Sequence, residues 1–163
     1  MPTFSLDALD LAALLCSKVC HDVISPVGAI INGLEVLEEE KDAEMRKFAN
    51  DLIRKSAHTA SAKLQFCRLA FGAAGSAGAS IDTGDAEQVA RNLLADDRLK
   101  FEWVGTRQLM PKNKVKLILI LCLIASACIP RGGLLRVVIS GENDTTNVAL
   151  EASGPNLRLA NGV

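Results

Sequence analysis

From Leu6 to Glu39, apolar side chains recur every three or four residues, at Leu11, Leu14, Leu15, Val19, Val23, Val27, Ile30, Leu34 and Leu37. That period is one face of an α-helix, and Ser5 or Asp7 can cap its first turn. The run Glu38-Glu39-Glu40-Lys41-Asp42 reads as a solvated tip where the chain reverses. A second helical period runs from Asp42 to Phe71 through Met45, Ala49, Leu52, Ser56, Ala60, Leu64, Cys67 and Phe71, and Gly72 ends it. Two long helices joined by so short a connection pack antiparallel. One such hairpin has too little apolar surface to enclose a core, so the pattern predicts that hairpins from two chains form a C2-symmetric four-helix bundle.

Beyond residue 72 the pattern changes. Residues 73–84 are mostly Gly, Ala and Ser, and read as a linker between a hairpin domain (1–72) and a second domain (85–163). There the predicted elements are a helix over Asp85–Ala95, a strand over Phe101–Val104, a buried helix over Lys112–Cys128, and strands over Leu134–Ser140 and Val148–Ala152. The last two read as a hairpin around Gly141–Thr146. Helical hairpin plus α/β sandwich makes the chain α+β. It stops at Val163, after NLRLANGV, with no closing element in view, which reads as a truncated C-terminus.

Composition narrows the function. The formal net charge of −1 gives no field that would draw DNA, RNA or an anionic membrane. Aromatic residues are 4%, with one Trp and no Tyr, too few for base-stacking platforms. The five cysteines, at 16, 20, 67, 122 and 128, lie in apolar surroundings without a C-x-x-C pair, as expected of buried thiols in a reducing compartment. The longest apolar run, Leu117–Ile129, falls well short of the ~20 residues of a membrane span. These features predict a soluble, cytoplasmic protein without nucleic-acid or membrane partners.

Candidate chemistry sits in the first helix, in the string Cys20-His21-Asp22-Val23-Ile24-Ser25-Pro26-Val27. Helical spacing puts Ser17, Lys18, His21, Ser25, Gly28 and Asn32 on one polar or small-residue stripe, opposite the apolar one. An imidazole can attack through one nitrogen while the other is held by an acceptor, and Asp22 is the adjacent acceptor. Pro26 has no N–H, so the Asp22 carbonyl loses its usual donor, at a cost of about 3 kcal/mol in a helix interior. Plainer readings stay open: an exposed histidine is ordinarily a surface residue, Lys18 a solvated cation, Ser25 a hydroxyl bonded to its own backbone, and Pro26 a neutral kink. Cys16, Cys20 and His21 lack a fourth ligand at useful spacing, so no metal is expected.

His21-Asp22-x-x-Ser25-Pro26 resembles the H-box of sensor histidine kinases, on the first helix of a dimerisation and histidine phosphotransfer hairpin. The longer string LDLAALLCSKVCHDVISPVGAIINGLEVLEEE, with the later IPRGG, more closely resembles the ChpT-type histidine phosphotransferases of bacterial cell-cycle phosphorelays. The resemblance implies a homodimer in which His21 is the phosphoacceptor, taking a phosphoryl group from one receiver-domain aspartate and passing it to another. Asp22 would orient the imidazole or act as acid/base, with Lys18 and Ser25 beside it and Pro26 structural. Ser17, Gly28, Asn32, Glu35, Arg54 and Lys55 are candidate contacts for the receivers, which the resemblance gives as hybrid-kinase, CtrA-type and CpdR-type. Mg²⁺ would come with the receiver and not be held by this chain.

It further implies a second domain similar to a degenerate histidine-kinase ATPase domain of the Bergerat type. Lys116–Cys128, where Mg²⁺-holding asparagines would stand, has none, and no Asp-x-Gly-x-Gly occurs anywhere. Mg²⁺ takes oxygen ligands, so no ATP chemistry is expected. The alternatives are a noncatalytic dimerisation or adaptor module and, less favoured, an ATP-dependent histidine kinase.

Overall fold

The computed structural model describes residues 6–72, 79–141 and 145–158, and its contacts divide the chain into two units, Met1–Cys67 and Arg68–Val163. In the first unit, α1 (Ala8–Glu39) begins where the Asp7 carboxylate accepts the Leu9 N–H at 2.7 Å. α2 (Ala43–Ala70) begins on Asp42, whose carboxylate accepts from the Met45 N–H at 2.9 Å. Both caps satisfy amides that have no intrahelical partner.

The connection is the solvated tip that its charge suggests, and it is also tied by hydrogen bonds. Glu40 turns its carboxylate onto the N–H groups of Lys41 and Asp42, at 2.8 and 3.0 Å. From α2, the Arg46 guanidinium donates to the carbonyls of Leu37 and Glu40, which would otherwise be orphans at the end of α1.

The two buried residues of α1 are Pro26 and Gly33, neither of them in the apolar stripe read from the sequence. α2 comes so close that a Cβ built on Gly33 would lie 2.6 Å from Ile53 Cγ1 and 3.3 Å from the Ala49 carbonyl oxygen. Buried small residues of α2, Ala49, Ser56 and Ala60, suit this approach. In the chain by itself, Leu11, Leu14, Val27, Ile31 and Leu34 of α1 and Met45, Phe48 and Leu64 of α2 stay exposed. Cys16 and Cys20 share the Val27 and Leu34 side of α1 and are exposed too, against the expectation of buried thiols.

The second unit is α+β. Parallel strands β2 (Leu99–Val104) and β4 (Gly133–Ser140) pair, and β5 (Asn147–Ser153) runs antiparallel to β4 in the register Ser140↔Asn147 through Leu134↔Ser153. The predicted hairpin is therefore present, though residues 142–144 of its turn lie outside the described residues. α3 (Thr83–Leu94) and α4 (Lys112–Cys128) contribute Ala86, Ala90, Val115, Ile118, Leu119 and Cys122 to a core shared with Phe101, Leu135, Val137 and Ile139. Burial pushes the Cys122 thiol up to about 12, so it stays protonated.

Two strands were not foreseen. β1 (Ser80–Asp82) falls inside the stretch read as linker and pairs antiparallel with β3 (Leu109–Pro111). Three-residue strands are too short to display a period. Asp82 then caps α3, accepting the Gly84 N–H at 2.7 Å. Residues 73–78 of that linker, and 159–163 at the C-terminus, lie outside the described residues.

The IPRGG string has a backbone reason. Gly132 and Gly133 hold φ of +85° and +138°, and a Cβ on Gly133 would come within 2.1 Å of the Ser153 carbonyl oxygen. Only glycine tolerates that conformation with β5 so near.

Candidate functional site

His21 stands on α1 with its side chain 88% exposed. Its Nδ1 lies 3.5 Å from Asp22 Oδ1, close enough for charge to act though long for a hydrogen bond, which leaves Nε2 as the nitrogen away from Asp22. Asp22 is half-buried, its side chain 24% exposed. Its other carboxylate oxygen takes the Lys18 ammonium one helical turn back. Burial pushes the Asp22 carboxyl up, but the hydrogen bond and charge of Lys18, joined by His21 and Lys63, outweigh it and hold the group below the ordinary aspartate value. Asp22 is therefore a carboxylate throughout the neutral range.

The carbonyl that Pro26 deprives of its donor is not left bare. Lys63, half-buried on α2, donates its Nζ–H to the Asp22 carbonyl oxygen at 2.8 Å. α1 runs on as a helix through Pro26, and the proline is buried in the hairpin instead of marking an open bend. Cys67, one turn beyond Lys63, completes the neighbourhood. Burial, then the Asp22 charge, raise its thiol against the opposite pull of Lys18 and Lys63.

The structure thus brings His21, Asp22 and Lys18 together and adds Lys63, which helical spacing within α1 could not reveal. Ser25 is exposed, and its hydroxyl bonds to no described atom, including its own backbone. Ser17, Asn32, Glu35, Arg54 and Lys55 are exposed, and no hydrogen bond or ion pair among the described residues joins them to His21. A Cβ built on Gly28, two turns beyond His21 on the same face, would meet nothing within 4 Å.

This geometry can do one thing readily: present a nucleophilic nitrogen to a large partner, beside a carboxylate paired with Lys18 and a backbone carbonyl held by Lys63. Comparison with known proteins gives the family. The chain belongs to the histidine phosphotransferase family, a family of transferases, whose C-terminal domain matches residues 83–163. Within it the chain is similar to the protein phosphotransferase ChpT of Brucella abortus (strain 2308), 54% identical over 155 residues, which are 95% of this chain and 73% of that protein. A solved structure of a bacterial phosphotransferase superposes with a TM-score of 0.86 at 50% identity, covering 96% of this chain and 74% of the other.

Proposed function

We propose that His21 is the phosphoacceptor of a bacterial phosphorelay, loaded from the aspartyl phosphate of one receiver domain and unloaded onto the aspartate of another. The observation that carries this reading is a nearly fully exposed imidazole whose Nδ1 faces a carboxylate that is ionised in the neutral range. With the Nδ1 proton directed at Asp22, the Nε2 lone pair attacks phosphorus. The N–P bond forms as the bond to the receiver's carboxylate oxygen breaks, the bonding pair leaves with that carboxylate, and Asp22 balances the positive charge left on the ring. Return to a second receiver is the reverse. Such transfer asks chiefly for position and charge, which suits so few side chains.

The receivers of the resemblance, hybrid-kinase, CtrA-type and CpdR-type, would make this a cell-cycle relay, and their own carboxylates would hold Mg²⁺. The α3–α4 unit is read as a degenerate ATPase-like domain without ATP chemistry: α4 presents Ile118, Leu119 and Cys122 inward and has no oxygen ligand set for Mg²⁺ along Lys116–Cys128 apart from Ser126. Ser126 gives its hydroxyl to the Leu123 carbonyl at 2.8 Å.

To test this reading, the chain is incubated with a receiver domain phosphorylated by acetyl phosphate and, separately, with labelled ATP. Acid-labile label is expected from the receiver only. Label from ATP would make the chain a kinase, and none from either would leave an adaptor.

The open apolar face of the hairpin supports a homodimeric four-helix bundle. Taken by length and composition alone, α1 could cross a bilayer. Its close partner α2, carrying Arg46, Lys47, Asp51, Arg54 and Lys55, could not follow it into hydrocarbon, so a second hairpin in the cytoplasm is the better cover. Light scattering is expected to return twice the 17.3 kDa chain mass at micromolar concentration, and a monomer would exclude the bundle.

A further inference from the structure

Three facts about the hairpin belong together. Pro26 removes the amide that would bond the Asp22 carbonyl. Lys63 fills the vacancy from the other helix at 2.8 Å. And Lys63 donates to no other described acceptor, although an ammonium has three N–H groups. A lysine this far into a helix interface loses side-chain entropy and hydration, so its placement requires compensation. In a regular helix, each carbonyl at this level of α1 would already accept one backbone N–H and offer the lysine only its second lone pair.

Charge adds a fourth consideration. Asp22 alone would repel an incoming phosphoryl group, which carries nearly two negative charges. Lys18 cancels the Asp22 charge by pairing with it directly. Lys63 is then the charge in excess among the cations acting on Asp22, the residue next to His21. Its tie runs to backbone, not to a carboxylate, so its charge is positioned without being neutralised.

We propose that Pro26 and Lys63 form one device, in which the proline reserves the Asp22 carbonyl for the lysine and so fixes an uncompensated cation beside the phosphoacceptor, with Lys63 a positioning residue for phosphoryl transfer. This rests on His21 being the phosphoacceptor. The device explains a helix breaker inside an unbroken helix, and it assigns a role to a residue 41 positions away in sequence from the carbonyl it serves.

The experiment is a rate cycle on the full chain. Transfer from a receiver domain phosphorylated by acetyl phosphate is followed in single turnover for wild type, Lys63→Met, Pro26→Ala and the double variant, with Lys63→Arg as the charge-retaining control. Lys63→Met is expected to slow the maximal rate about ten- to a hundredfold, below the loss for a donor in direct contact with reacting atoms, with the half-saturating receiver concentration little changed. Pro26→Ala restores the backbone N–H, displaces Lys63 from the carbonyl and slows transfer similarly. The double variant should be no slower than the slower single, and Lys63→Arg should recover most of the rate.

A wild-type rate for Lys63→Met or Pro26→Ala, or a double variant whose loss is the product of the two single losses, would overturn the device. So would a Lys63→Arg rate no better than Lys63→Met. The Asp22 carbonyl ¹³C shift supplies a reading independent of transfer: it should move on Lys63→Met, and an unmoved shift would refute the bond. Failure of wild type itself to accept label would instead remove the phosphoacceptor reading, and the carbonyl shift would still report on the tie.

Discussion

Replacing His21 by alanine is expected to reduce acid-labile label from a phosphorylated receiver by roughly a thousandfold or more, the scale of losing a nucleophile outright. Fold should be unaffected, since a side chain 88% exposed contributes within about 0.5 kcal/mol to stability. The protein is favourable for this test because it contains two histidines, His21 and His58. His58 is exposed on α2 and has no carboxylate partner among the described residues. His58→Ala should therefore keep full label. Label surviving in His21→Ala and vanishing in His58→Ala would transfer the chemistry to α2 and dissolve the role given to Asp22.

The second large effect is structural and distinguishes two glycines five residues apart, at positions 28 and 33 of one helix. Gly33→Val should destabilise the hairpin by about 1–3 kcal/mol, the range for overpacking, because its Cβ already overlaps Ile53 Cγ1 and crowds the Ala49 carbonyl. Gly28→Ala should do the reverse and stabilise by up to about 1 kcal/mol, since alanine is the better helix former and its Cβ enters open space. Denaturant unfolding followed by helical circular dichroism measures both. Equal destabilisation at the two sites would show that Gly28 is packed against something, as a close second chain would make it.

Much of the architecture was legible from pattern. The span Lys112–Cys128 was read to the residue, because Pro111 fixes the helix start and an apolar run follows. Both long helices and the three longer strands were placed within a few residues at each end. Failures have physical reasons. β1 and β3 are stabilised by each other and by caps, not by an internal period. Apolar spacing marks a face of α1 without saying what covers it, and within the single chain α2 does not cover Leu11, Leu14, Val27 or Leu34. The closest helix contact uses Gly33 and Pro26, which carry no hydrophobic signal.

The site was half legible. His21, Asp22 and Lys18 are local, and helical spacing finds them. Lys63 belongs to another helix. Its signal was nonetheless present: Pro26 leaves a carbonyl in need of a donor, and Ala49, Ser56 and Lys63 fall seven apart along α2, with the first two buried. A lysine in a row of small interface residues is out of place unless something holds it.

The bonded turn at the hairpin tip limits how the proposed dimer could assemble. Straightening α1 and α2 into one rod would break the Arg46 bonds to Leu37 and Glu40, both Glu40 carboxylate bonds, and the Asp42 cap. Exchange of helices between chains needs that opened form. A closed latch of this kind keeps each α1 with its own α2, so the lysine that serves a given Asp22 comes from the same polypeptide.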